Sequence, residues 1–303
     1  MAPIRDLWGR VLNRGLTPSV NRLPSAPVTT VRAPASTANL GPGFDVLGLA
    51  LDRYVYANDE GDGDLCWPDH IARIAFEMAG GAGDIWFRFD VPPGRGLGFS
   101  AAARAAGAGL AYAQRGLDPA RLQRDTYTIV ERLEGHGDNA APASFGGIHV
   151  IVDSDSHRLA TDFPGELFLW VPRESTTPTD ENRAGMSSTV DRSDAVYNLG
   201  RLGLLVASLY EADIGLLQRA TEDRLHQPNR FIQQPASKAA HDAARAAGAA
   251  AWLSGSGPSV AVVTRPGRSA DVVAGLPSVG DVLHVVPDLV GTVVCTGPAP
   301  TSA

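Results

Sequence analysis

Residues 92–103 read Pro-Pro-Gly-Arg-Gly-Leu-Gly-Phe-Ser-Ala-Ala-Ala, a glycine-rich turn that runs into an alanine-rich segment. Gly94, Gly96 and Gly98 free the backbone to turn tightly, and Ser100 is predicted to cap the helix that follows. Such a turn presents N–H donors and the positive end of a helix dipole, which is how many proteins bind phosphate. It lacks the Gly-Lys-Ser/Thr ending of a Walker-type loop, so by itself it is more typical of an ordinary turn before a helix.

The bulk composition is that of a soluble globular protein. The chain has 303 residues, 44% of them hydrophobic, and a net charge of −7, which disfavours nucleic acid as a partner. No apolar run approaches the roughly 18 residues of a membrane span, so we expect no membrane partner. Cys66 and Cys295 form neither a metal motif nor a disulfide framework, and they favour a reducing, cytoplasmic location.

The order of predicted elements favours an α+β fold. Segments rich in β-formers alternate with helical segments without strict βαβ regularity, and no internal repeat is visible. The helix predicted over residues 194–210 is expected to bury one apolar face, formed by Val196, Leu199, Leu202, Val206 and Leu209. The segment Phe163-Pro164-Gly165 is the best candidate for a division of the chain into two halves.

Three further stretches are as unusual as the first: residues 31–51, residues 134–147 (Glu-Gly-His-Gly-Asp-Asn-Ala-Ala-Pro-Ala-Ser-Phe-Gly-Gly) and residues 252–263. Together with residues 92–103, and in this order, they resemble the GHMP kinase superfamily. Within it the chain is most similar to the homoserine kinases. The resemblance runs from about residue 28 to residue 294, and the ordered set is far more specific than any one motif.

The resemblance implies a two-domain GHMP kinase fold. Residues 28–164 would form an ATP-binding domain of the ribosomal-protein-S5-like type, and residues 165–303 a ferredoxin-like domain, with the active site between them. Residues 1–27 resemble no part of the family and are expected to be an extension without fixed structure. A homodimer is left open.

Phosphoryl transfer needs a cradle for the phosphates, a cation and a positioned alcohol. The resemblance implies that ATP is held by Pro93, Gly94, Arg95, Gly96, Leu97, Gly98, Ser100 and Ala101. It also implies that Mg²⁺ is held by the Ser100 hydroxyl and the Glu134 carboxylate, oxygen ligands of the kind that Mg²⁺ prefers. Glu134 ends a predicted helix, where the dipole disfavours negative charge, so a nearby cation would explain its position. Simpler roles, a helix cap for Ser100 and a solvated surface position for Glu134, stay open.

The predicted substrate is an amino acid, because arginines are the natural clamp for a carboxylate. Pro-Thr-Asp-Glu-Asn-Arg matches the Ser-Thr-x-x-x-Arg element of the family. The resemblance implies substrate contacts from Asn39, Asp45, His136, Thr179, Arg183, Arg230 and Gly255, with Asn39 also counted as catalytic beside Ser100 and Glu134. Asn39 and Asp45 also suit the turn they flank, and a lone histidine is more often structural.

Several positions depart from the family pattern. Phe99 stands where the family has the first serine of Gly-Leu-Gly-Ser-Ser, and His136-Gly137-Asp138-Asn139 replaces His-Pro-Asp-Asn. The leading hypothesis is therefore an ATP- and Mg²⁺-dependent L-homoserine kinase. The alternatives are a kinase for another hydroxy amino acid or specialised-metabolite alcohol, and a nucleotide- or metabolite-binding protein without turnover. We expect the Phe99 ring to turn away from the nucleotide and pack into the core.

Overall fold

The residues described by this computed structural model, 29–159, 163–174 and 189–295, form two antiparallel sheets with helices packed against them. The first sheet contains β1 (Thr30–Ala38), β2 (Leu47–Asn58), β3 (Asp64–Leu65), β4 (Trp86–Phe89), β5 (Ile148–Val152), β6 (Asp155–Leu159) and β11 (Val293–Val294). The second contains β7 (Glu166–Pro172), β8 (Ala250–Leu253), β9 (Val260–Thr264) and β10 (Gly280–Val285).

The helices within the described ranges are α1 (Ile71–Met78), α2 (Phe99–Gln114), α3 (Pro119–Glu134), α4 (Ala140–Phe145), α5 (Arg192–Tyr210), α6 (Ile214–Ala220), α7 (Gln227–Gln233), α8 (Pro235–Ala246) and α9 (Ser269–Ala274). None of them combines the length and the apolar character needed to cross a membrane. The mixture of helices with antiparallel sheets confirms the predicted α+β class.

The first sheet is built around β1 and β2, in the order β11-β1-β2-β4-β3, with β5 and β6 attached to β2. The start of β2 pairs with β5 and its end pairs with β4. The register between β1 and β2 shifts between Pro34 and Ala35, as expected where a proline lacks the N–H that a ladder needs. Beyond this bulge β1 continues to Ala38 and delivers Asn39 into the next turn.

Helix α2 lies at the centre of the first domain. Nearly all of its residues are buried, because small alanine and glycine side chains let neighbours approach on every side. At Gly107 a Cβ would lie 2.0 Å from the carbonyl oxygen of Ala72 in α1, so only glycine allows this packing. The helix is thereby fixed in place, and its N-terminus is aimed at the end of the domain where the site forms.

The second sheet has the order β10-β7-β9-β8, with α8 packed on β8 and β9. The change of sheet falls between β6 and β7, near the predicted division at residues 163–165. After the second sheet the chain returns to the first sheet, where β11 pairs with β1 through Val31 and Val294. The predicted division into domains of residues 28–164 and 165–303 stays a prediction, and residues 1–28 and 296–303 lie outside the described ranges.

The predicted buried face of α5 is wrong in part. Leu209 is buried, but Val196 is 61% and Leu199 is 68% exposed. The physical reason is polar: buried Asn198 donates from Nδ2 to Asp223 at 2.7 Å and accepts the N–H of Arg224 at 2.9 Å. These hydrogen bonds turn the Asn198 face of the helix inward and leave part of the apolar stripe in solvent.

A buried histidine makes the stability of this fold depend on pH. His149 lies on β5, with Nε2 2.8 Å from the carbonyl oxygen of Gly146 and Nδ1 2.6 Å from the Ser156 hydroxyl. Burial lowers the pKa of His149 to about 4. The unfolded chain would take up this proton near pH 6.5 and the folded chain only near pH 4, so the unfolded state binds more protons between these values and acid destabilises the fold.

We therefore expect His149 to account for a loss of roughly 2 kcal/mol in the free energy of unfolding between pH 7 and pH 5. Urea titrations of wild type and His149→Gln at both pH values measure that share, which the variant should lack. The exposed His157 on β6 supplies the control, since His157→Gln should keep the wild-type pH dependence. An unchanged pH dependence in His149→Gln would contradict the assignment.

Candidate active site

Residues 93–98, here called the glycine loop, lead directly into α2. Gly94 and Gly96 have φ near +69° and Gly98 has φ +62°, in the left-handed region. Gly98 is the N-cap and no side chain caps the helix, so the predicted capping role of Ser100 is wrong and Ser100 lies in the first turn. The N–H groups of this turn are therefore left for an anion, which the dipole also favours.

The predicted ATP-binding residues all lie in this loop and in the first turn of α2. Leu97 and Ala101 bury their side chains, so only their backbone can face a nucleotide. The guanidinium of Arg95 donates from Nη2 to the carbonyl oxygen of Arg173 at 3.0 Å. The arrangement favours phosphate binding through the backbone, as the glycine composition predicts.

The glycine loop packs against residues 254–259, here called the second glycine turn. The Ser254 hydroxyl donates to the carbonyl oxygen of Gly96 at 2.7 Å. The N–H of Ser259 donates to the carbonyl oxygen of Arg95 at 3.3 Å. A Cβ on Gly96 would lie 2.4 Å from the carbonyl oxygen of Ser254 and 2.5 Å from that of Gly257. The first and fourth motifs of the sequence are therefore in backbone contact.

The second and third motifs meet the same loop. The N–H of Ser36 on β1 donates to the carbonyl oxygen of Leu97 at 3.1 Å, and its hydroxyl donates to Asn139 Oδ1 at 2.9 Å. A Cβ on Gly98 would lie 2.0 Å from Ser36 Oγ and 3.0 Å from Asn139 Oδ1. Ser36 and Asn139 were not among the predicted site residues, although both lie inside the quoted motifs.

Four of the predicted substrate residues come together at the second glycine turn. The carbonyl oxygen of Gly255 accepts from Asn39 Nδ2 at 2.9 Å and from Arg230 Nη1 at 2.8 Å. The N–H of Asp45 donates to Asn39 Oδ1 at 3.0 Å. Asn39 and Asp45 have φ of +71° and +58°, conformations that cost energy and cluster at functional sites. The hydrogen bonds of Asn39 therefore join the turn after β1 to the second glycine turn.

The guanidinium of Arg230 is positioned by hydrogen bonds to residues that the sequence analysis did not predict. Burial lowers the pKa of His226, so its ring is neutral and is assigned with Nε2–H donating to the carbonyl oxygen of Gly41 at 2.8 Å. Its Nδ1 then accepts from Arg230 Nη1 at 3.0 Å. Asp223 accepts the N–H groups of His226 and Gln227 and starts α7. The only local signal is the spacing of four between His226 and Arg230 in the stretch Asp-Arg-Leu-His-Gln-Pro-Asn-Arg, residues 223–230.

His136 lies in the turn between α3 and α4, half-buried. Its Nδ1 is 2.8 Å from Asp138 Oδ1, which also accepts the N–H of Asn139 at 2.9 Å. The ring is thus oriented by a buried carboxylate. The predicted substrate residues Thr179 and Arg183 lie outside the described residues, so their roles stay predictions.

A guanidinium connects the two predicted metal ligands. Arg104, one turn after Ser100 on α2, donates from Nη1 to both the Ser100 hydroxyl and the Glu134 carboxylate. The side chains of Arg104 and Glu134 are only 19% and 11% exposed. Burial lowers the pKa of Arg104. Arg104 was missed because its partner Glu134 is distant in sequence.

The contacts of Ser100 and Glu134 show whether these two side chains could hold Mg²⁺ as they are arranged here. A hydroxyl and a carboxylate are suitable oxygen ligands. Both accept hydrogen bonds from one guanidinium nitrogen, so a cation held between them in this arrangement would lie beside the positive charge of Arg104 and be repelled by it. As arranged here, Ser100 and Glu134 do not fit a metal ion, and the described residues contain no group of three His, Cys, Asp or Glu side chains that could hold one.

Comparison with known proteins identifies the family. The model described as GHMP kinases N terminal domain matches residues 69–147, and that described as GHMP kinases C terminal matches residues 205–282. A homoserine kinase of Thermus thermophilus is 35% identical over 263 residues, covering 80% of this chain and 89% of that protein. The chain belongs to the GHMP kinase family.

Further relatives agree with this assignment. A homoserine kinase of Gloeobacter violaceus is 37% identical over 267 residues, covering 77% of this chain and 87% of that protein. The crystal structure of homoserine kinase from Cytophaga hutchinsonii matches with a TM-score of 0.75 at 24% identity, covering 91% of this chain and all of the other, a likeness of fold. The two-domain GHMP kinase fold, S5-like followed by ferredoxin-like, is confirmed.

Phe99 is the departure from the GHMP kinase pattern that the structure explains directly. It is the first residue of α2 and only 9% exposed. Its ring stands edge-to-face on Phe89 and Phe87, with centroids 5.1 Å and 6.1 Å apart. The expectation that this ring packs into the core is confirmed.

Phe99→Ser should therefore lower the free energy of unfolding by roughly 2–3 kcal/mol, through lost burial and a cavity, with little change in the KM for ATP. Urea unfolding and steady-state kinetics measure the two effects. Phe89→Ser is the matched control, and a smaller loss is expected because that ring is 43% exposed. An unchanged melting temperature with a several-fold lower ATP KM in Phe99→Ser would place the ring on the nucleotide side.

Proposed function

We propose that this GHMP kinase uses ATP to phosphorylate the side-chain hydroxyl of L-homoserine. The observation that carries the proposal is the convergence of Asn39, Asp45, Arg230 and Gly255 beside the glycine loop. Residues that the family resemblance assigns to an amino-acid substrate thus lie next to the loop that we propose to bind phosphate. The relatives named homoserine kinase support the same acceptor.

In this proposal the glycine loop and the first turn of α2 bind the phosphates of ATP. The side-chain hydroxyl oxygen of the substrate attacks the γ-phosphorus and forms the new O–P bond. The bond to the β,γ-bridging oxygen breaks, ADP leaves with its electron pair, and the hydroxyl proton passes to solvent. The transition state of such a transfer is loose, so positioning and charge neutralisation supply most of the catalysis.

The acceptor would be recognised at both of its charged ends. A carboxylate such as that of Asp45 suits the α-amino group of an amino acid, and guanidinium groups suit its carboxylate. Arg183 and Arg230 are the proposed clamp, supported for Arg183 by its place in a family element and for Arg230 by its contact with Gly255. Asn39 and His136 are the proposed groups that orient the hydroxyl.

Mg²⁺ enters the proposal as the counterion that ATP carries. Its binding by Ser100 and Glu134 stays a prediction that disagrees with the contacts of Arg104, and no step is routed through it. We also propose a cytoplasmic location without a nucleic-acid partner, supported by the net charge of −7 and by the two free cysteines. A homodimer stays a prediction.

A second candidate function is nucleotide binding without turnover. The specific observation in its favour is Arg104, which bonds to both of the side chains that the family resemblance assigns to the metal. This candidate predicts tight ATP binding and no ADP release with any hydroxylated amino acid.

A coupled ADP-release assay with L-homoserine, L-threonine, L-serine, mevalonate and galactose separates these functions. We expect kcat/KM for L-homoserine to exceed that of every other acceptor by at least about tenfold. Preference for mevalonate or galactose would overturn the acceptor and keep the kinase. ATP binding by calorimetry without ADP release would support the second candidate.

Removing the proposed clamp should weaken acceptor binding. Arg183→Ala is expected to raise the KM for the amino acid by roughly 10- to 100-fold with little change in kcat, because the carboxylate is held alike in ground and transition states. Arg268→Ala is the matched control, since its side chain is exposed and pairs with Asp271 on α9. A fall in kcat at constant KM in Arg183→Ala would contradict the clamp.

A further inference from the structure

We propose that Arg104 supplies the positive charge that binds the transferred phosphoryl group, in place of a metal ion held by Ser100 and Glu134. This inference rests on the proposed ATP-binding function of the glycine loop. It assigns a phosphate-binding role to a side chain that the family resemblance does not cover. It also predicts that nucleotide binding by this chain depends only weakly on divalent ions.

The position of Arg104 follows from helix geometry. Ser100 and Arg104 are four residues apart on α2, so they share one face of the helix. Glu134 is the last residue of α3 and approaches that face from the neighbouring helix. One nitrogen of the guanidinium bonds to both oxygen groups, so the three side chains form a single cluster at the start of α2.

The charges of the cluster explain why it is stable without an ion. Glu134 places its carboxylate at the C-terminal end of α3, where the helix dipole disfavours negative charge. A cation beside it offsets this cost. Arg104 meets that requirement from within the chain, and the ion pair is largely shielded from water because both side chains are mostly buried.

The guanidinium keeps donors for a ligand. It carries five N–H donors, and its hydrogen bonds to the described residues all come from Nη1. The donors on Nε and Nη2 have no hydrogen-bond partner within the described part of the chain. A planar guanidinium suits the paired oxygens of a phosphoryl group, and Arg104 lies in the second turn of the helix that follows the loop proposed to hold the nucleotide.

The transfer itself is the one proposed above, with one O–P bond formed and one broken. Arg104 would contact the equatorial oxygens of the γ-phosphoryl group, where charge is spread during transfer. Ser100 and Glu134 then act as positioning residues, since they hold the guanidinium rather than the phosphate.

Calorimetry with a non-hydrolysable ATP analogue, in EDTA and in excess Mg²⁺, tests this role. We expect the wild-type Kd in EDTA to lie within about fivefold of the Kd in Mg²⁺, and Arg104→Ala to raise the EDTA value by about tenfold or more. Arg121→Ala is the charge-matched control, because Arg121 is exposed on α3 and pairs with Asp125. It should behave as wild type.

Electron paramagnetic resonance of Mn²⁺ gives a second readout that needs no turnover. Wild type should leave Mn²⁺ free, whereas Arg104→Ala should expose Ser100 and Glu134 and bind one ion. Arg104→Ala/Glu134→Gln should lose that ion again. This double variant also leaves no unpaired buried carboxylate, so it should fold where the single variant fails.

Wild-type binding of the analogue that requires a divalent ion, or Mn²⁺ binding by wild type that Glu134→Gln removes, would overturn the inference while the proposed kinase stands. Absence of analogue binding in both EDTA and Mg²⁺ would overturn the proposed function together with the inference. The two failures are therefore distinguishable.

Discussion

The backbone contact between the glycine loop and the second glycine turn fixes the geometry of the whole site. Gly96 lies where these two segments meet. The carbonyl oxygens of Ser254 and Gly257 lie so close to it that there is no space for a side chain. The Ser254 hydroxyl bonds to the Gly96 carbonyl oxygen across the same contact. A loop before α2 and a turn between β8 and β9 are therefore held in direct backbone contact.

Polar side chains then lock this arrangement by binding backbone groups. Asn39 and Arg230 both donate to Gly255, and Ser36 links the glycine loop to Asn139. A buried polar network is stable only when its members are satisfied, so each of these residues limits the movement of the others. Residues expected to touch substrate thus also preorganise the loops, and preorganisation is the main catalytic resource of phosphoryl transfer.

The sequence predicted the family, the α+β class and the tight glycine turn before α2, because glycine spacing and turn chemistry are local signals. The N-cap of α2 was misplaced by two residues, since Gly98 rather than Ser100 is the cap. Arg104 was not predicted because its role depends on the approach of α3, which no local pattern encodes. The inward face of α5 was misread for a similar reason: the hydrogen bonds of Asn198 outweigh the apolar stripe. The order of elements along the chain did not predict that β11 would return to the first sheet.

The contact between the glycine loop and the second glycine turn at Gly96 is expected to shape the nucleotide site. Gly94 and Gly96 have the same φ of +69°, but a Cβ on Gly94 meets nothing within 4 Å. Alanine at either position carries the same backbone strain, so the difference between the two variants isolates the contact. Calorimetry should show ATP binding weakened by at least about tenfold more in Gly96→Ala than in Gly94→Ala, at melting temperatures that report both variants as folded. Equal ATP affinities in the two variants would contradict the account.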